Sequence, residues 1–415
     1  MALFSPLRVW FLIARGAQNG PRYNKMITPR KSRIEIQPPH AKSPRVYSLE
    51  LVGKTIDVLE ALRRQGELRL TDIVEATQMD KSTTFRILYT LQERGYVVRD
   101  LRTKKFRLPP GHRKFRVGYA QPNAGHHFGD VVTASLVKEA QRLRIELLVV
   151  DNQWSAELAV KNAHWMVRQK VDFAIEFQIH NEVAPVIAEI FAKAGIPTLA
   201  LGVPLPGAIY FGPNNYRAGL LCGEALARHA VANWRRLDRV ILLESPFVGP
   251  MVQSRFVGTL AGIQEVLPGF NRKRATYKDA KGTTEGAYKA TQKVLKSTSR
   301  RDRLLITSIN EDGTLGALRA VREARREKYT AIMGFGFDAL PPFVEEMRKQ
   351  GSPLIGSVAF FPEKYGPEVL LIVTRCLNGE AIPPAVYTEH KLVTRENVDE
   401  MLLAARHIIE APPAS

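Results

Sequence analysis

A regular alternation of apolar and polar positions begins near residue 49 and runs to residue 108. Over residues 49–62, Leu51, Ile56, Leu59 and Leu62 recur at helical intervals and predict an amphipathic helix. Thr71 is placed to cap a second helix, with Ile73, Val74 and Ala76 behind it. A polar break follows at Gln78-Met79-Asp80, where Asp80 can cap a third helix. Phe85, Ile87, Leu88 and Leu91 predict the buried stripe of that helix, and Gly95 its stop. Next, Tyr96-Val97-Val98-Arg99, a polar turn at Leu101-Arg102-Thr103 and a return over 104–108 predict a hairpin.

From Phe115 the pattern changes. Short Val-, Ile- and Leu-rich runs at 116–120, 146–150, 171–176, 197–201, 240–243, 304–307, 331–334 and 354–358 predict strands. Amphipathic stretches at 130–143, 156–168, 183–193, 216–230, 253–266, 284–295, 314–325, 340–348 and 368–377 predict helices between them. Such alternation predicts βα units and parallel sheets covered on both faces. The strands are too many for one ordinary open sheet, so two Rossmann-like lobes are expected. Pro109-Pro110-Gly111 forbids helix continuation and marks a boundary. The expected organisation is a tail over 1–46, the helical hairpin unit over 47–110 and a linker over 111–114. A two-lobed α/β domain over 115–398 and a C-terminal helix and tail over 399–415 complete it. A linker this short implies close tethering.

Charge and composition narrow the reading. The chain has 415 residues, 60 Lys+Arg against 41 Asp+Glu and a formal net charge of +19, which favours an anionic partner. Two cysteines, Cys222 and Cys376, match no metal spacing and fit a reducing compartment better than a disulfide scaffold. No apolar run reaches membrane-spanning length, so no membrane partner is expected. Residues 9–13, Val-Trp-Phe-Leu-Ile between Arg8 and Arg15, are short for a signal peptide and precede no clear cleavage site. An upstream extension is the preferred reading, with Met26 as an alternative start. The rest of the tail, basic and punctuated by proline, is expected to be solvated, with non-specific phosphate contact as its alternative use.

Helix, tight turn, helix and basic hairpin together make the plan of a winged helix-turn-helix. Its second helix enters the major groove and its wing lies on phosphate. Ser82, Thr83, Thr84 and Arg86 are the candidates for base contact, and Lys81, Arg102, Lys104 and Lys105 for phosphate. Residues 47–110, through VGKTIDVLEAL, LTDIVEATQMDKSTTFRIL and GYVVRD, resemble the DNA-binding domain of the IclR family of bacterial regulators.

Ligands of open α/β lobes bind beyond the carboxyl ends of strands. Those ends offer Asn123, Glu176, Arg255, Asn310 and Asp338 as polar groups, and His127, Phe128, Phe360 and Phe361 as ring faces. Asp338 also has the spacing to cap the helix near Leu340, and Asn214-Asn215 the character of turn residues. His126-His127 has no carboxylate at ligand spacing, so a metal is not expected. The segment 115–398 resembles sugar-binding periplasmic binding proteins (type I) and the effector domain of LacI-type regulators. The resemblance runs through FRVGYAQPNAG, FGPNNYRAGLLCGEALARHA, TSINEDGTLGALRAV, MGFGFDALPP and GSVAFFPEKYGPEVL. It implies three lobe crossings, near Asn214, Phe361 and Glu389. It also implies sugar-contact roles for Asn310 and Asp338, with Arg255 and Asn123 as further matches. Gly202-Val203 stands where many family members carry an acidic-basic pair, and Phe360 where they carry glutamine. A less polar or modified ligand is therefore as compatible as a simple sugar.

The rival classes are an exported sugar-binding protein of an uptake system and an enzyme. No G-x-S-x-G, G-x-x-x-x-G-K or H-E-x-x-H motif occurs. Neither catalysis nor a cofactor is expected. The combined expectation is a cytoplasmic regulator, a homodimer or higher, that binds double-stranded operator DNA and senses a small carbohydrate-like effector.

Overall fold

The structure, a computed structural model, describes residues 50–100, 102–109, 115–234 and 236–403. The expectations for the N-terminal tail, Met26, Leu101, the 111–114 linker and the last twelve residues lie outside the described residues.

Three helices open the described chain: α1 (Glu50–Gln65), α2 (Leu70–Thr77) and α3 (Lys81–Glu93). A two-stranded wing follows, β1 (Val98–Arg99) and β2 (Phe106–Arg107), antiparallel with Val98 opposite Arg107. Leu68 joins this wing through an antiparallel bridge to Phe106, a pairing the periodicity did not announce. Helix α2 starts ahead of Thr71, because the Asp72 carboxylate accepts the Arg69 N–H at 2.8 Å. Asp80 caps α3 as expected, accepting Thr83 N–H at 2.8 Å. Gly95 follows α3 at φ +75°, a conformation glycine adopts without steric cost. The core joins Val58, Ala61 and Leu62 of α1 to Ile73, Ile87, Leu88, Leu91, Val97 and Phe106. Leu51 and Ile56, expected inside, are exposed.

The first lobe runs β3 (Arg116–Gln121), α4 (His127–Arg142), β4 (Glu146–Asp151), α5 (Ala156–Arg168), β5 (Phe173–Glu176), α6 (Ala184–Lys193), β6 (Thr198–Leu201) and β7 (Ile209–Pro213). The chain then crosses at Asn214. The second lobe runs α7 (Asn215–Asn233), β8 (Arg239–Glu244), α8 (Pro250–Val266), β9 (Ala275–Asp279), α9 (Thr284–Lys296), β10 (Leu304–Ser308), α10 (Glu311–Glu323), β11 (Thr330–Phe337), α11 (Pro341–Arg348) and β12 (Leu354–Ala359). After Phe361 it returns for α12 (Tyr365–Leu377) and β13 (Ala385–Thr388), and crosses again at Glu389-His390 to β14 (Lys391–Val393).

Each lobe is one six-stranded sheet, in order β13-β7-β6-β5-β3-β4 and β14-β12-β11-β10-β8-β9. Every pairing is parallel except β12 with β14. Alternate side chains of each strand enter different cores. Val117 and Tyr119 pack with α4 and α12, while Ala120 packs with α5 and α6. Likewise Val240 and Leu242 face α7 and α8, and Ile241 and Leu243 face α9 and α10. The period-2 pleat requires this when both faces are covered. Strands β7, β9, β13 and β14 were not expected. Gly212 and Pro213 dilute β7, and the other three are short or polar edge strands. From residue 398 the chain is helical again, and Val398 and Met401 belong to the second lobe's core.

Candidate functional site

Two places concentrate chemistry. The first is the exposed side of α3 with the wing. Thr84, Ile87, Leu88 and Leu91 are buried, a spacing of three, four and seven that fixes the inner face of a helix. Thr84 is therefore not on the groove-facing side: it is fully buried and its hydroxyl donates to Asp80 O at 2.9 Å. Phe85, expected in the core, takes the outer face instead, with Lys81, Ser82, Arg86 and Tyr89. Thr83 is half-buried.

In the wing, the Asp100 carboxylate accepts the Arg102 and Thr103 N–H groups at 2.8 and 2.7 Å. The Thr103 bond is the main cause that lowers its pKa below the ordinary value. This carboxylate is thus spent on the turn. Arg102 and Lys104 are exposed and Lys105 half-buried. Lys104 sits at φ +59°, a strained setting for a side-chain-bearing residue.

The second place is the cleft between the α/β lobes, a cavity of about 610 Å³, within the range of small-molecule sites. Phe128, Trp154 and Phe177 line it from the first lobe, Phe247 and Phe335 from the second, and Phe360 from a crossing. At its mouth the lobes meet, with the His180 and Phe247 rings 5.4 Å apart.

Arg255, Asn310, Asp338, Phe128 and Phe360 all face this cavity. Arg255 projects from α8. Its Nε donates to Asn215 Oδ1 and its Nη1 to Ile309 O, both at 2.6 Å. Its guanidinium lies 4.9 Å from the Phe360 ring centroid and 5.6 Å from that of Phe335. Burial lowers its pKa to about 10. Asn215, read as a turn residue, is a buried orienter of this arginine. Asn310 caps α10 through Gly313 N–H at 2.9 Å and donates to Gly282 O at 2.8 Å. Asp338 accepts Leu340 N–H at 3.1 Å, an Asx turn ahead of α11 rather than the expected helix cap, and it lines the cleft.

Four expected contacts fall elsewhere. Glu176 is fully buried beneath the strand ends and does not line the cavity. Asn152 Nδ2 donates to it at 2.8 Å, while burial pushes its pKa up to about 8. Asn123 points back to Ala124 O at 3.0 Å and lies outside the lining. His127 also stays out of the lining, and its Nδ1 is 3.2 Å from Asp338 Oδ2 of the other lobe. Its neighbour His126 lines the cavity and reaches Asp312 Oδ2 at 3.3 Å. Phe361 packs into the second lobe's core.

Glu311 was missed by the sequence reading. It is buried, lines the cavity beside Asp338, and neither carboxylate oxygen has a partner of hydrogen-bonding geometry. Burial first, and the Asp338 charge next, hold its pKa far above the carboxylate range. Ser245 also lines the cavity with a buried, unpartnered hydroxyl. Its position, after a strand end, was the only available signal. Among the described residues no group of three or more His, Cys, Asp or Glu side chains could hold a metal ion, and no helix is long and apolar enough to cross a membrane.

Comparison with known proteins agrees with this geometry. Residues 117–381 match the family described as periplasmic binding protein domain, and residues 51–101 the IclR helix-turn-helix domain. Both are binding domains. No curated protein matches the chain. Among solved structures, a periplasmic solute binding protein of Actinobacillus succinogenes with bound D-allose is 20% identical, with TM-score 0.60; the match covers 69% of this chain and 100% of that one. A solute binding protein of Bacillus halodurans with bound myo-inositol is 20% identical over 69% of this chain and 97% of its own, with TM-score 0.59. One from Agrobacterium vitis with bound allitol is 19% identical over 70% and 98%, with TM-score 0.61.

Proposed function

The chain belongs to the periplasmic binding protein domain family, and from that premise we propose that its cleft senses a small carbohydrate-like effector and reports it to a DNA-reading head. The observation that carries this reading is the pairing, in one chain, of two equipped sites. The outer face of α3 presents Lys81, Ser82, Phe85 and Arg86. The cleft presents aromatic faces together with unpartnered buried polar groups at Ser245 and Glu311. Aromatic faces with convergent polar groups suit the mixed faces of a sugar or polyol ring, the class bound by the three solved relatives.

In this reading Ser82, Thr83 and Arg86 contact or adjoin bases, with Phe85 beside them, while Lys81, Arg102, Lys104 and Lys105 contact phosphate. The protein acts in the cytoplasm, where its DNA is, as a homodimer. Effector shifts the population toward closed lobes. Closure alters the dimer and so the spacing of two recognition helices, which must match half-sites about 34 Å apart or a multiple of it.

The test is binding of the purified full chain to its own upstream intergenic DNA across a salt series, with and without a panel of sugars and polyols. Selective, salt-sensitive binding that one compound changes is the expected result. Asp338→Asn is expected to lose that response and keep DNA binding. Tight sugar binding without selective DNA binding would instead favour an exported sugar-binding protein.

A further inference from the structure

The ionisable groups of the cleft are unevenly matched. Asp338 has His127 at 3.2 Å, and Asp312 has His126 at 3.3 Å. Glu311 is buried beside Asp338, and burial first and that charge next raise its pKa and so favour its uncharged form. Asp338 and Asp312 therefore each face a histidine nitrogen of the protein.

Arg255 is not balanced. Its two hydrogen bonds run to neutral oxygens, Asn215 Oδ1 and Ile309 O. The titratable groups nearest it are the phenols of Tyr210 and Tyr365, which burial keeps uncharged, and no carboxylate is among them. His390, close enough to feel the arginine, accepts Asn214 N–H through Nε2 and is thus neutral. Gly202 and Val203 supply no acid on the facing lobe. Nη2 is the one guanidinium nitrogen that donates to no acceptor among the described residues, and Arg255 lines the cavity. Arg255 is half-buried, and a charge drawn even partly out of water is ordinarily paired, because desolvation of a lone ion is costly. The surrounding Phe335 and Phe360 rings supply only a partial, quadrupolar counter-charge.

We infer that the effector itself carries the missing counter-ion: it is a carbohydrate-like acid or phosphate ester whose anionic group pairs with Arg255. The inference rests on the carbohydrate reading of the cleft and deepens it. The anion lies at the Arg255 end, and the hydroxyl-bearing part extends toward Glu311, whose carboxyl oxygens line the cavity without a partner. Carboxylate and phosphate share the required chemistry, a planar or branched oxyanion that accepts from a guanidinium.

Isothermal titration of the full-length protein with matched probes separates the alternatives. The probes are neutral hexoses and polyols, the corresponding uronic and aldonic acids, and the corresponding hexose phosphates. One of the two anionic sets is expected to bind about ten- to hundredfold more tightly than its neutral parents, the gain of a charge-assisted hydrogen bond. Which set does so names the source of the anion. Arg255→Gln is expected to erase the preference and Arg255→Lys to retain part of it, since lysine keeps the charge without the fork. The wild-type panel decides the matter even if a variant fails to fold. Neutral sugars binding as tightly as both anionic sets would overturn the anion and leave the carbohydrate reading intact. Binding of none of the three sets, with DNA binding retained, would overturn both.

Discussion

Nδ1 of His127, at the start of α4 in one lobe, lies 3.2 Å from Oδ2 of Asp338, after β11 in the other. The Asp338 carboxylate beside its ring is the main cause that raises the His127 pKa. Burial opposes it, and the charges of Asp338, Asp130 and Asp312 support it. The closed arrangement therefore holds this proton more tightly than separated lobes would. Its contribution to closure is complete below the ordinary imidazole value, about 6.5, and is lost as pH rises through the elevated one. Small-angle scattering of the effector-free protein should show a larger radius of gyration at about pH 9 than at about pH 6. In His127→Gln that difference should shrink. A pH-independent radius in the parent protein would remove His127 from lobe closure.

Glu176 makes a pH prediction of its own. An unfolded glutamate ionises near about 4.3, whereas burial raises this one to about 8. Between those values the unfolded chain releases a proton that the folded chain keeps. Stability must then fall with rising pH by about 1.4 kcal/mol per unit from this group. Glu176→Gln should flatten that slope in denaturant titrations at several pH values, and an unaltered slope would show that Glu176 ionises normally.

Helices α7 and α8 touch backbone to backbone. A Cβ on Gly219 would stand 1.9 Å from the Arg255 carbonyl oxygen, and one on Gly258 2.0 Å from that of Tyr216. Neither contact can yield by rotating a side chain. Gly219→Ala is expected to destabilise the protein by about 1–3 kcal/mol, and by displacing Arg255 to weaken effector binding. Thermal denaturation and titration read the two effects, and a wild-type melting temperature would contradict the packing described.

On the reading head, Thr84 and Lys104 should separate packing from DNA contact. Thr84→Ala removes a buried hydroxyl bonded to Asp80 O, so about 1 kcal/mol of stability should go, with unchanged DNA affinity in the folded protein. Lys104→Ala should leave stability nearly intact, weaken binding on every sequence and lower the salt slope by about one charge. Fluorescence anisotropy across a salt series distinguishes them. Loss of sequence selectivity in Thr84→Ala would return that residue to the groove.

The local repeat of the sequence determined a great deal. Hydrophobic runs spaced by amphipathic stretches gave the βα lobes, since strands covered on both faces must be apolar throughout. Asp80 and Gly95 marked the ends of α3 because capping is a matter of adjacent residues. Arg255, Asn310, Asp338, Phe128 and Phe360 were legible as cleft residues because strand ends converge on one crevice. What only the tertiary structure decided is every choice that depends on a distant neighbour. A single residue of helical phase put Thr84 inside and Phe85 outside, and apolar character alone misassigned both. Whether a strand-end carboxylate lines the cavity or lies beneath it separated Glu311 from Glu176. Asn215 could be known as the partner of Arg255, and His126 and His127 as partners of Asp312 and Asp338, only once the crossings had brought these remote segments together. Periodicity records how a segment repeats along itself, whereas burial and charge pairing depend on what the fold sets against it.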